Sequence, residues 1–154
     1  CDIIHKVPDR GLSALLLRAS EYHIVTLDQI IKIVQGKAIS AEVDLSTEIE
    51  TAFGADLMSD VLAFVHTGTM LLTGLTNPQA VRTAEMAGVT AIMFVRGKCP
   101  PAPTIALAAE KKIPLLWSPY TMYETCGRLY EAGLRSGGLL DLASETWGEG
   151  FEKA

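Results

Sequence analysis

Residues 69–95 read TMLLTGLTNPQAVRTAEMAGVTAIMFV, and this stretch decides the fold. It opens on the apolar run from Thr69 to Thr73 and closes on Ala91-Ile92-Met93-Phe94-Val95. Short continuous apolar runs of this kind are strands covered on both faces, as in a parallel sheet. Between them Ala80, Val81, Ala84 and Ala87 recur at helical spacing. Asn77 suits the N-cap of that helix and Pro78 its first turn. Strand, helix and strand in this order imply a right-handed crossover between parallel strands.

The same alternation extends in both directions. Downstream, residues 103–112 read as a helix with Ile105, Ala108 and Ala109 facing inward. Residues 113–117 read as a strand. A long helix is expected over 119–134, with Met122, Cys126, Leu129, Tyr130 and Gly133 at helical spacing. Upstream, Val61, Phe64 and Val65 define a helix over 57–66, and residues 48–53 a strand ending at Gly54. Another strand falls near 37–42, followed by a turn at Asp44. Before it, Thr26 and Gln29 form a capping box for a helix carrying Leu27, Ile30, Ile31 and Val34, stopped by Gly36. Leu12, Leu15, Leu16 and Ala19 give residues 8–22 one apolar helical face, and Leu139, Leu142, Ala143 and Trp147 suggest a short C-terminal helix. The fold class is therefore α/β, a layered and mostly parallel sheet of roughly four to six strands with helices packed on its faces. Residues 1–25 form an N-terminal helical extension, 26–136 the α/β domain and 137–154 an acidic tail.

Composition narrows the function. A chain of 154 residues with 49% apolar and 20% charged residues is one globular domain with short extensions. Its net charge of −5 argues against nucleic acid as a partner. Cys1, Cys99 and Cys126 form no CxxC pair, and His5, His23 and His66 show no metal-binding spacing, so no metal or cofactor is expected. No run approaches the roughly 20 apolar residues needed to cross a bilayer, so no membrane partner is expected either. The apolar run at Ala14-Leu15-Leu16-Leu17 is too short for a signal-peptide core. A reducing, cytoplasmic setting follows as the default.

Ligands of parallel sheets gather at the carboxyl ends of the strands. That rule nominates four loops and, within them, Asp56, Ser59, Thr73, Gly74, Thr76, Asn77, Arg96, Lys98 and Ser118 as ligand-binding residues. Gly74 would supply backbone freedom after its strand. The helix behind Asn77 and Pro78 would turn free N–H groups toward an anion, or Asn77 is simply a cap. Arg96 and Lys98 would clamp a phosphate or carboxylate, or they are solvated loop charges. Asp56 and Asp60 would share a helix face as a carboxylate pair, or complement the helix dipole. His66 is expected at a helix end, Cys126 buried and inert, and Cys99 more exposed. GxxxxGK[ST], GxGxxG and GxSxG are all absent, and no catalytic residues can be assembled.

Residues 54–63 (GADLMSDVLA), 71–79 (LLTGLTNPQ), 91–97 (AIMFVRG) and 123–134 (YETCGRLYEAGL) together resemble a DRTGG domain. The resemblance spans roughly residues 26–134. Here the family's Thr-Gly-Gly is Thr73-Gly74-Leu75, and its Asp-Arg is Asp56-Leu57. Such domains are similar to the N-terminal domain of HPr kinase/phosphorylase and occur in CBS-domain proteins and in long phosphotransacetylases. Catalysis there belongs to other domains. The resemblance implies a non-catalytic regulatory or ligand-sensing module, binding a small anionic metabolite or nucleotide at the strand ends. Two alternatives stand beside it: an interaction or dimerisation module without a small-molecule ligand, and a small transferase. Homodimerisation is expected from the N-terminal Leu stripe and the Trp147/Phe151 tail.

Overall fold

The structure is a computed structural model, and it describes residues 23–40 and 42–136. The helices expected at 8–22 and after Gly137 lie outside the described residues. In chain order the elements are β1 (Val25–Thr26), α1 (Leu27–Ile33), β2 (Lys37–Ala38), β3 (Glu48–Ile49), β4 (Thr51–Gly54) and α2 (Met58–Phe64). Then follow β5 (Thr69–Thr73), α3 (Pro78–Ala87), β6 (Ala91–Phe94), α4 (Ala102–Glu110), β7 (Leu115–Trp117) and α5 (Met122–Glu131).

Five strands form the main sheet in the order β2-β7-β6-β5-β4. β4 to β7 run parallel, each beside the next in sequence, and β2 joins β7 antiparallel. Sequential right-handed crossovers carry α2, α3 and α4 to one face. Val61, Val81, Ala84 and Ala108 from those helices are buried against Leu71, Ile92, Phe94 and Leu115. On the opposite face Leu27, Ile30 and Leu129, from α1 and α5, pack with Met70, Leu72, Met93 and Leu116. Adjacent residues of each strand thus serve opposite cores, which is why the strands read as unbroken apolar runs. The expected layered α/β fold is the one observed.

β5 and α3 have the limits expected from sequence, and the capping box at Thr26 and Gln29 is formed. Four expectations need correction, the first being that the strand expected near 37–42 is only Lys37–Ala38. The single strand expected over 48–53 is two. Glu48–Ile49 pairs antiparallel with β1, Thr51–Gly54 pairs parallel with β5, and the Glu50 N–H between them donates to Gly68 O at 2.9 Å. The long C-terminal helix is shorter than expected. Thr121 caps it by accepting from Glu124 N–H, while residues 118–120 are committed to loop contacts described below. Gly36 does not stop α1 with a left-handed backbone, because Gln35 takes that conformation at φ 51°.

Candidate functional site

Parallel strands bring the loops after β4, β5, β6 and β7 to one edge of the sheet. Asp56, in the first loop, organises the second. Its Oδ1 accepts from Thr73 Oγ1 at 3.0 Å and from the Gly74 N–H at 2.7 Å. A charge-assisted bond of this kind is worth about 1.5–3 kcal/mol. The other oxygen, Oδ2, lies 4.0 Å from Arg96 Nη2, with both side chains about half exposed (50% and 47%). An exposed pair at that separation contributes at most about 1 kcal/mol. Asp56 therefore fixes the Thr73-Gly74 backbone firmly and the Arg96 guanidinium only loosely.

Arg96 has φ 63° and Gly97 follows at φ 66°. Left-handed backbone is unfavourable for a residue with a Cβ, so the surroundings must hold Arg96 there. They do so from the next loop. The Arg96 N–H donates to Tyr120 O at 2.7 Å and the Gly97 N–H to Ser118 O at 3.0 Å. The tight turn lays the guanidinium over Gly74, where a Cβ would stand 2.3 Å from Arg96 Nη2. Gly74 thus leaves room for the Arg96 guanidinium, which as the end of a flexible, half-exposed side chain could swing aside from a larger residue. Its φ lies outside the left-handed region, so the expected backbone freedom is not what it provides.

The remaining nominated residues divide by role. Asn77 Oδ1 accepts from the Ala80 N–H at 3.2 Å, as a cap does. With that donor satisfied, and Pro78 lacking one, the helix start has fewer free N–H groups for an anion than expected. Thr76 offers its carbonyl to Thr104 Oγ1 at 2.7 Å, tying α3 to α4. Ser118 is fully buried. Its hydroxyl shares a hydrogen bond with Thr125 at 3.1 Å and accepts from the Tyr120 N–H at 3.3 Å, so it shapes the β7–α5 joint. Ser59 is exposed on the first turn of α2, and Lys98 is exposed beyond the Arg96-Gly97 turn. Asp56 precedes α2, so it shares no helix face with Asp60, and His66 lies past the end of that helix. Sequence reasoning missed Thr104 and Thr121. Thr121 had a visible N-cap signal, whereas the partner of Thr104 is a carbonyl from a distant loop that leaves no mark on the sequence.

Cys126 is half-buried and Cys99 exposed. Burial pushes the Cys126 thiol above its ordinary pKa. A raised pKa means less thiolate at neutral pH, so Cys126 should react with iodoacetamide more slowly than Cys99, the gap narrowing as pH rises. Peptide mapping after timed labelling checks this, and faster labelling of Cys126 would contradict it. Among the described residues no three His, Cys, Asp or Glu side chains group as metal ligands, and no helix is long and apolar enough to cross a membrane.

A three-layered α/β domain whose strand-end loops are joined through an Asp–Gly–Arg contact is the class that these observations define. The chain matches the DRTGG domain over residues 29–132, more than half its length, and it belongs to that family. No curated protein sequence matches it significantly. Among solved structures it is similar to the CBS and DRTGG domains of the regulatory region of Clostridium perfringens pyrophosphatase, crystallised with the activator diadenosine tetraphosphate. The TM-score is 0.58 at 14% identity, over 93% of this chain and 66% of that one. At that identity the likeness establishes the shared fold.

Proposed function

We propose that this chain is a non-catalytic regulatory domain that binds a small anionic metabolite or nucleotide at the strand-end crevice, through Arg96 and Lys98. Arg96 is the observation that carries the reading. A guanidinium is laid over a glycine by a strained turn, yet its one ion pair among the described residues is a half-exposed contact at 4.0 Å. Lys98, two residues on, has no ion pair among the described residues. In a chain of net charge −5, two such cations on one loop suit an anion that displaces the weak Asp56 contact. The activator in the related pyrophosphatase structure is a polyphosphate nucleotide, which has the chemistry this loop would recognise. The functional unit is residues 26–136, and a cytoplasmic setting belongs to the same proposal.

Calorimetric titration with tripolyphosphate and ATP tests the reading. Arg96→Ala should weaken the affinity about tenfold to a hundredfold, the effect of one charge-assisted contact. Asn77→Ala should instead lower stability by about 1 kcal/mol through the lost cap and leave affinity unchanged. Absence of binding, or binding indifferent to Arg96→Ala, would overturn the proposal.

Homodimerisation has separate support. α5 exposes Tyr123 (88%) and Tyr130 (57%), and Tyr130 also lines a groove of about 240 Å³ with Phe53, Leu72, Cys126, Leu129 and Leu134. Exposed aromatics next to an apolar groove suit a twofold interface with a second copy. Light scattering should then give twice the chain mass for the parent and a monomer for Tyr123→Glu/Tyr130→Glu. A monomeric parent would remove this part of the proposal.

A further inference from the structure

We infer that Tyr120 is the positioning residue of the proposed anion site, holding the Arg96 turn in place and tying it to α5 and α1. The inference rests on the anion reading for what Arg96 binds, but not for how Arg96 is held.

Arg96 has left-handed backbone, at φ 63°, which a residue with a Cβ disfavours. Such a residue keeps its conformation only where its surroundings over-determine it. A return to right-handed backbone would redirect the Cα–Cβ bond of Arg96, and with it the side chain now lying over Gly74. The Arg96 N–H is tethered by Tyr120 O at 2.7 Å. That same oxygen accepts from Thr125 Oγ1 of α5 at 3.4 Å. One carbonyl thus joins the cationic turn to the helix that follows it.

The Tyr120 side chain carries the connection further. Its hydroxyl donates to Gln35 Oε1 at 2.8 Å, just past the end of α1. The Arg128 guanidinium, on α5, stands 4.0 Å from the centre of its ring. Arg128 is itself oriented by Glu124, whose Oε1 accepts from Nε at 2.8 Å. Gln35 also has left-handed backbone, at φ 51°. Among the described residues three that are not glycine have positive φ, and two of them, Gln35 and Arg96, are hydrogen-bonded to this one tyrosine. Strain gathered on a single partner marks that partner as what holds it, and strained backbone clusters at functional sites. A cation on the ring and one hydrogen bond at the hydroxyl are the contacts through which α5 and α1 keep Tyr120, and so Arg96, in place.

Titration of the full chain with tripolyphosphate, beside amide exchange at Arg96 and Gly97, tests the inference. Tyr120→Leu keeps an apolar side chain against the core below and removes ring and hydroxyl together. It should weaken tripolyphosphate by about tenfold, the combined effect of one cation–ring contact and one hydrogen bond. Tyr120→Phe, which loses the Gln35 bond alone, should weaken it by about threefold. Arg128→Gln should act like Tyr120→Phe, and Arg128→Lys, which keeps a cation, should restore most of the affinity. In an Arg96→Ala background none of these should weaken binding further, because the group being positioned is gone. Without ligand, the Arg96 and Gly97 amides should exchange faster in Tyr120→Leu than in the parent. A lower melting temperature with affinity and exchange unchanged would overturn the inference and leave the anion reading standing. Faster exchange in Tyr120→Leu with no tripolyphosphate bound by the parent would uphold Tyr120 as the holder of the turn and overturn the anion reading. Unchanged exchange with no binding would overturn both.

Discussion

Phe94→Ala is expected to lower the stability of the folded domain by about 3–5 kcal/mol. Phe94 is fully buried on β6, with β5 on one side and β7 on the other. Its ring belongs to the core beneath α2, α3 and α4, together with Val61, Val81, Ala84, Ala108 and Leu115. Truncation removes the transfer free energy of the ring and leaves a cavity that central strands cannot close by moving. A domain of this size has only about 5–15 kcal/mol to lose, so the variant should unfold at much lower urea with an unchanged slope. Met86→Ala is the control. Met86 is 74% exposed on α3, and its loss should change stability by no more than about 0.5 kcal/mol. A Phe94→Ala cost below about 1 kcal/mol would mean that Phe94 is not buried between the sheet and its helices as described.

The same two-sided burial explains what the sequence disclosed. Thr69–Thr73 and the run at Ala91–Phe94 are apolar at every inner position because each neighbour serves a different core, and that signal survives in one dimension. Asn77 and Thr26 were legible as caps because capping is local, joining residues three apart. The break between β3 and β4 was not legible. Ile49 and Ala52 would read alike in one strand or two, and only the partners, β1 for one and β5 for the other, decide. The candidate site divides in the same way. Strand-end position nominated Asp56, Gly74 and Arg96, and the structure brings these together. That a guanidinium from another loop lies on Gly74 is a tertiary fact with no local trace. The Lys37–Trp117 contact is hidden for the same reason, since it depends on an antiparallel edge strand of two residues.

Gly36→Ala should destabilise the domain by about 3 kcal/mol, the upper part of the range for overpacking. A Cβ at this position would stand 2.2 Å from Trp117 O and 3.1 Å from Val34 Cγ2. The first of these is backbone, held in the ladder in which Lys37 pairs with Trp117 and Ala38 with Leu116. It cannot swing aside as a side chain end can, so relief requires β2 to separate from β7. The loss should therefore appear as a fall of about 10 °C in melting temperature, using about 3 °C per kcal/mol for a chain of this length. Amide exchange should quicken at Lys37 and Ala38 ahead of the central strands, because an edge strand opens first. Gly127→Ala is the matched control. A Cβ there meets nothing within 4 Å on α5, and replacing a helical glycine by alanine should stabilise by about 0.5–1 kcal/mol. One substitution type should thus shift the melting temperature in opposite directions at two glycines. If Gly36→Ala is neutral, β2 does not lie against β7 as described.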